Sequence, residues 1–556
     1  MIGRLKAVSK QLLNNIDWKL LLFLLLFLNV KLVIKIIAIV IIYILRPDFK
    51  FGFKRKGSSL PGFYLLIIGI AFFDFLVFKG FTNTKYIIVF VTGTGFWLLS
   101  ILAVHQLRVA VSTKSIHVIH NTIFLFFACN AIVSIIDILL IMADAGTINP
   151  YRYQGMYQKY FIGTGDLIRG ITFDTSTTNA VINAAGVIYF LCRKQATMTL
   201  VCMATLLLTG SNFTNLILTT ILAYLFIAKS DRAQKSLIVI CVMFLIVFMV
   251  KVSPQNDAYA MRIIDKIISK KDTEHTSAVL TNTVLATPDS LLSPEEKKRQ
   301  FAKAYLDSIS LLLSQERKIT LATLQPNVLP ATVATNANGR PVIPQPSIHT
   351  KPFQRKRDTL EEQKVLLNYV KANKEDSIIV TKYPDKLPGK LISFLQTATF
   401  LQHHPSKIIT GVGTGNFSSK LAFRATALNI GGGYPRKYAY INNDFRDNHL
   451  ATYLNFFSKD AELHSVVNTP NSVYNQLLGE YGLAGIAAFV TGYLFFWIKH
   501  YKKLSFGIPI LLLLCSVFFV DYWFEQLSIV IVFELLLFLD IKEAGLLTAK
   551  NDTWKA

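Results

Sequence analysis

Acids are scarce in this chain: 34 Asp and Glu stand against 58 Lys and Arg, a formal net charge of +24. Cysteine is scarcer still. The five cysteines (Cys129, Cys192, Cys202, Cys241 and Cys515) all lie in or beside apolar segments. The long hydrophilic stretch in the C-terminal half has none, which excludes a disulfide framework there. Charge of both signs together makes up only 17% of the residues, while 52% are hydrophobic. No internal repeat is visible, so a solenoid is excluded. A cleavable signal peptide is not expected either, because the first apolar run lacks a small-residue cleavage site and leads into further apolar sequence.

What is present is apolar sequence in blocks. They fall near 18–30, 31–45, 62–78, 86–106, 121–143, 178–192, 196–210, 213–228, 236–252, 482–498, 507–522 and 526–541. A perpendicular crossing of a bilayer needs about 20 residues. The blocks therefore predict an all-α integral membrane protein with about twelve transmembrane helices. Charge decides how to read 18–45. Arg4, Lys6 and Lys10 precede it, and Arg46, Lys50, Lys54, Arg55 and Lys56 follow it. The positive-inside rule puts both flanks in the cytoplasm. Two flanks on one side require two crossings, so a helical hairpin broken around Asn29–Lys31 is expected. With that count, Arg108/Lys114, Arg193/Lys194, Lys229/Arg232/Lys235 and Lys499/Lys502/Lys503 also face inward, and both termini are cytoplasmic.

The same count divides the chain into three. Residues 1–252 form a membrane bundle of about nine helices. Residues 253–481 form one large, mostly helical loop on the outer, periplasmic face. Residues 482–556 add about three helices and a cytoplasmic tail. Inside the loop, Ser293-Pro294-Glu295-Glu296 and Thr359-Leu360-Glu361-Glu362 read as helix starts with capping boxes. A third helix is expected over 389–403. Residues 324–352, rich in Pro, Asn, Thr and Ala, read as a flexible linker.

Chemistry concentrates late in the loop. From Lys386 to Asn443 there is no acid, but there are Lys386, Lys390, Lys407, Lys420, Arg424, Arg436 and Lys437. Such a basic balance implies an anionic partner. Nucleic acid does not suit a chain that is mostly membrane; anionic lipid head groups or a lipid pyrophosphate do. No Asp/Glu/His cluster at metal-ligand spacing accompanies these cations. Arginine, whose planar fork matches phosphate, is the expected anion holder, and the lysines read as tethers to lipid head groups. In Ile408–Arg424 glycines 411, 413 and 415 alternate before a helix start. The turn reads either as a backbone N–H anion site or as a plain helix-to-helix connection. The acids Asp137 and Glu534 lie within apolar blocks, and Asp74, Asp521 and Glu525 near block ends. They are read either as lining a polar cavity or as partners for Lys31 or Lys35.

The stretch Asn471–Gly485, NSVYNQLLGEYGLAG, joins the loop to the next apolar block. It resembles the signature of the O-antigen ligase and polymerase superfamily, with Tyr474, Leu478, Glu480 and Gly482 at the expected spacing. The glycine-rich phrase at 411–417, the segment Arg169–Asn179 and LLLTGSN at 206–212 also resemble phrases of that family. Two positions depart from it: Asn471-Ser472 stands where the family has His-Asn, and Asn212 where it commonly has arginine.

The resemblance implies transfer of a glycan from a polyprenyl pyrophosphate carrier to a hydroxyl acceptor, on the outer face of a bacterial inner membrane. It implies an inverting displacement with no metal and no cofactor. Arg169, Arg424, Arg436 and Tyr474 are the pyrophosphate- and substrate-binding candidates, and His464, Asn471 and Glu480 the catalytic ones. An asparagine amide takes no proton at neutral pH, so His464 is the first candidate for the base, with His449, Asp460 and Glu462 nearby. The competing readings are that Asn471 only orients the acceptor, that the chain is a catalytically weakened relative within an assembly complex, or that it is a transporter-like binder of lipid-linked saccharide. Ligase, repeat-unit polymerase and protein O-oligosaccharyltransferase share this architecture.

Overall fold

A computed structural model describes residues 15–53, 59–146, 148–152, 168–228, 230–253, 387–427, 434–450, 452–453, 469–499 and 501–545. The capping boxes at 293–296 and 359–362, the linker 324–352 and His464 lie outside these. Among the described residues there is no strand, and each of the twelve apolar blocks carries a helix. They are α1 (Trp18–Phe27), α2 (Leu32–Leu45), α3 (Phe63–Val77), α4 (Thr84–Thr113), α5 (Ile116–Ala145), α6 (Ser176–Cys192), α7 (Ala196–Leu208), α8 (Asn212–Ala228) and α9 (Arg232–Val247). After the segment 254–386 come α10 (Gly389–His403), α11 (Lys420–Ala425), α12 (Val473–Ala488), α13 (Gly507–Val517), α14 (Trp523–Gln526) and α15 (Ser528–Glu543). The helix expected over 389–403 is α10. Among the described residues four segments are long and apolar enough to cross a membrane: Thr84–Thr113, Ile116–Ala143, Arg232–Val252 and Val473–Lys503.

Side-chain oxygens open several of these helices. Asp17, Asn83, Ser115, Thr175 and Asp231 each accept a hydrogen bond from a first-turn N–H, which satisfies donors that have no partner inside the helix. The block 18–45 is two helices with the break at Leu28–Lys31. Arg46 at the end of α2 pairs with Asp17 at the start of α1 (2.6 Å), and Lys19 reaches the carbonyl of Leu45. The two ends of the pair therefore lie side by side, as a hairpin demands.

α15 runs through the middle of the bundle and is buried along Ser528–Ile541, packed against α4, α6 and α13. Its one mid-helix acid, Glu534, accepts a hydrogen bond from Tyr64 at 2.6 Å. The outward faces carry aliphatic side chains, among them Val33, Ile36 and Val40 on α2, Ile132, Ile136 and Leu140 on α5, and Val239, Met243 and Val247 on α9. Such a belt costs free energy in water and none against lipid tails. The protein is an α-helical membrane protein.

Candidate functional site

The glycine-rich loop and the start of α12 form one structure. α12 begins at Val473, nine residues before the apolar block does, and it is broken at Gly482 (φ 61°, ψ −157°). In an unbroken helix the N–H groups of Leu483 and Ala484 would bond the carbonyls of Gly479 and Glu480. The loop takes both sets of partners instead. Val412 and Gly413 donate to Gly479 and Glu480 (both 3.0 Å), and Leu483 and Ala484 donate to Ile408 and Ile409 (2.8 and 2.9 Å). These four backbone groups therefore stay paired across the break. The approach is close enough to demand glycine: a Cβ on Gly411 would sit 2.4 Å from the Glu480 carbonyl carbon, and one on Gly482 2.5 Å from that of Ile409.

Glu480 turns back into this loop. Its Oε1 accepts the Phe417 N–H at 3.3 Å, and the N–H groups of Gly415 and Asn416 and the Ser419 hydroxyl face the same carboxylate. The anion that the loop's N–H groups hold is thus the chain's own. The glutamate, fully buried, anchors the loop to the helix.

Asn471 sits just ahead of α12 in a charged cluster. Its amide donates to Asp521 (3.0 Å), which also accepts from Gln526 (2.6 Å) and pairs with Lys420 of α11 (3.7 Å). Lys390, in the first turn of α10, donates to the carbonyls of Asn471 and Val520. Burial of its ammonium pulls its pKa down to about 7 against the opposing pull of Asp521. Glu525 accepts from Gln476 at 2.6 Å and feels the charges of Arg424 and Lys420. α11, opened by Ser419 as N-cap, carries both of those cations. The hydrogen bond from Tyr440 N–H to Ala425 O (2.8 Å) brings the turn Arg436–Tyr438 back beside the end of α11.

Tyr474 and His449 have partners of their own. The Tyr474 hydroxyl donates to the Cys515 carbonyl (2.8 Å), with Phe489, Phe518 and Phe519 around the ring. His449 is buried against Phe417 between the hydroxyls of Ser393 and Thr397; burial lowers its pKa to about 3. It is a neutral core histidine.

Arg169 opens a short turn, Gly170–Thr172, outside this cluster. Asp137 accepts the N–H groups of Arg169 (3.0 Å) and Gly170 (2.9 Å), and Asn130 accepts that of Ile171. Asn179 ties Asn130, Ser134 and the carbonyl of Ile168 together. Asp137 is therefore committed to holding this turn. Neither Asp521 nor Glu525 pairs with a lysine of the hairpin. Lys35 donates instead to Phe27 O and Ser528 Oγ.

Lys390, Lys420, Asp521 and Glu525 are the residues that sequence reasoning set aside. The lysines read as lipid tethers and the acids as block-end residues. The signal that marks them was the acid-free basic stretch itself, read together with two acids about 50 residues beyond Asn471. Comparison with protein-family models, with curated proteins and with solved structures found no match to this chain.

Proposed function

We propose that the chain transfers a glycan from a polyprenyl pyrophosphate to a hydroxyl acceptor at the outer surface of a bacterial inner membrane, with about twelve crossings and the 253–481 segment outside. One observation carries the reading: Lys390 and Lys420, from two helices, meet an Asn471–Asp521 pair at the membrane-entry helix, and Arg424, on the same helix as Lys420, acts on the neighbouring Glu525.

The chemistry follows from that set. The acceptor oxygen attacks the anomeric carbon, the carbon–oxygen bond to the diphosphate breaks, and the acceptor proton passes to the Asp521 carboxylate. Asp521 thereby takes the proton that Asn471 refuses, and the Asn471 amide holds the carboxylate in place. The departing diphosphate gathers negative charge, which fixed cations in a partly desolvated site stabilise more strongly than water does. Arg424 supplies the bidentate contact and Lys420 a point charge, while Lys390 adds charge only in its protonated fraction. Glu480 and the glycine loop position α12 rather than touching the reacting atoms.

The test is transfer in proteoliposomes, with a polyprenyl-pyrophosphate-linked oligosaccharide as donor and released carrier as readout. Asp521→Asn is expected to lower transfer by about 10²–10⁴-fold while leaving donor binding in place. Arg424→Ala is expected to lower both, transfer by about 10²–10³-fold. Undiminished transfer in both variants would sink the assignment. Donor binding with no carrier release in the unmodified protein would instead favour a binder of lipid-linked saccharide. In cells, loss of long surface chains marks a polymerase, and loss of attachment with carrier-linked chains retained marks a ligase.

A further inference from the structure

Beside the glycine loop lies a pocket of about 210 Å³. Its walls come from the end of α3, the turn at 79–83, the start of α4, the loop at 412–416 and the strip 440–444. The residues that matter in it are Asp74, Tyr86, Lys407, Asn416, Tyr440 and Asp444. From these we infer a binding site for one neutral monosaccharide unit.

Asp74 is the decisive residue. It is 2% exposed, and among the described residues neither carboxylate oxygen has a partner in full hydrogen-bond geometry. The Thr410 hydroxyl leans on it weakly and the Lys407 charge faces it, but neither comes within full hydrogen-bond geometry. A buried carboxylate with unmet acceptors costs free energy, so a fold that keeps one at a pocket wall leaves it for a ligand that donates. Sugar hydroxyls are such donors. The Tyr86 and Tyr440 rings, with centroids 5.3 Å apart, supply apolar surface for the carbon face of a sugar ring.

The remaining polar groups narrow the ligand. Asn416 Oδ1 accepts from Tyr440, Asn442 Oδ1 accepts the Asp444 N–H, and Asn83 Oδ1 caps α4. Each of these oxygens already carries a bond, which leaves the carboxylates as the strongest acceptors in the pocket. Two carboxylates, Asp74 and Asp444, repel a phosphate or an acidic sugar. Lys407, held over the Phe78 ring, repels a metal ion. A neutral polyol meets neither objection. The volume is below the roughly 300–1,000 Å³ of sites for drug-sized ligands, which suits a single ring.

The inference rests on the glycan-transfer reading for its meaning: the pocket holds one sugar of the acceptor or growing chain. Gly413 and Asn416 line the pocket, and Gly413 donates to Glu480 across the loop. Sugar occupancy therefore bears on the same loop that sets α12.

The test is saturation-transfer NMR on the full chain in detergent micelles, with glucose, galactose, N-acetylglucosamine and glucuronate as separate probes. At least one neutral sugar is expected to receive saturation and glucuronate none. Asp74→Asn is expected to weaken the neutral sugar's binding at least tenfold, and Tyr440→Phe to weaken it less. Asp74→Asn should melt no lower than the unmodified protein, since it removes an unmet charge; this separates loss of binding from loss of fold. Equal saturation in the unmodified protein and Asp74→Asn, binding of glucuronate, or no binding of any neutral sugar would overturn the site. Sugar binding in the unmodified protein with no carrier released from the lipid-linked donor would refute the transferase reading alone. Transfer lost in Asp521→Asn and Arg424→Ala without sugar binding would refute the pocket alone.

Discussion

Single residues at the loop–helix junction are poorly replaceable. Gly411→Ala and Gly482→Ala each force a Cβ against backbone at a positive φ. The expected loss is about 1–3 kcal/mol of stability, visible as a lower melting temperature in detergent. Two titrating groups give the fold a pH dependence of calculable sign. The folded pKa of Lys390 is lowered from 10.5 to about 7, so between these values the unfolded chain holds a proton that the folded chain lacks. Stability rises with pH across that window and is flat in this term below 7. For His449, lowered from 6.5 to about 3, stability falls as pH drops through that range. Melting curves from pH 4 to 9.5 should lose the alkaline slope in Lys390→Met and the acid slope in His449→Gln. The candidate site was half legible at this scale. Asn471, Glu480 and Arg424 stand out because they sit in phrases with fixed spacing. Asp521 and Lys390 do not, because 50 and 81 residues separate them from the asparagine they touch.

Elements explain where polar groups in apolar helices go. The turn after Arg169 depends on α5: Asp137 takes two of its N–H groups and Asn130 a third. Asp137→Leu leaves two donors unmet, at about 1–3 kcal/mol each. It is expected to raise amide hydrogen exchange at 169–172 while exchange in α15 stays slow; unchanged exchange at the turn would count against this account. All twelve apolar blocks could be read from the sequence because length and composition alone set them. The true start of α12 could not. Asn475, Gln476 and Glu480 interrupt the apolar run, and their partners (Ser393, Glu525 and the glycine loop) belong to segments far away in sequence. The break at Gly482 was hidden for the same reason: the loop that repairs its hydrogen bonds lies some seventy residues earlier.

At the scale of the whole molecule, sidedness is the open quantity that charge addresses. Cysteine replacing Ser293 is expected to react with a membrane-impermeant maleimide in intact cells, and cysteine replacing Lys502 only after permeabilisation. The reverse pattern would invert the topology. The pairing of Asp17 with Arg46 brings the two ends of the α1–α2 pair side by side. The four backbone hydrogen bonds at Gly482 have one more consequence. They join residues 408–413 to 479–484, so everything between is a ring tied at its base. Closing a ring costs entropy that grows only with the logarithm of its length, about 0.6 kcal/mol per doubling. Added length between 413 and 479 is therefore cheap, provided that the residues forming the tie are unchanged. An epitope tag placed at 454–468 should leave the entry helix where it is.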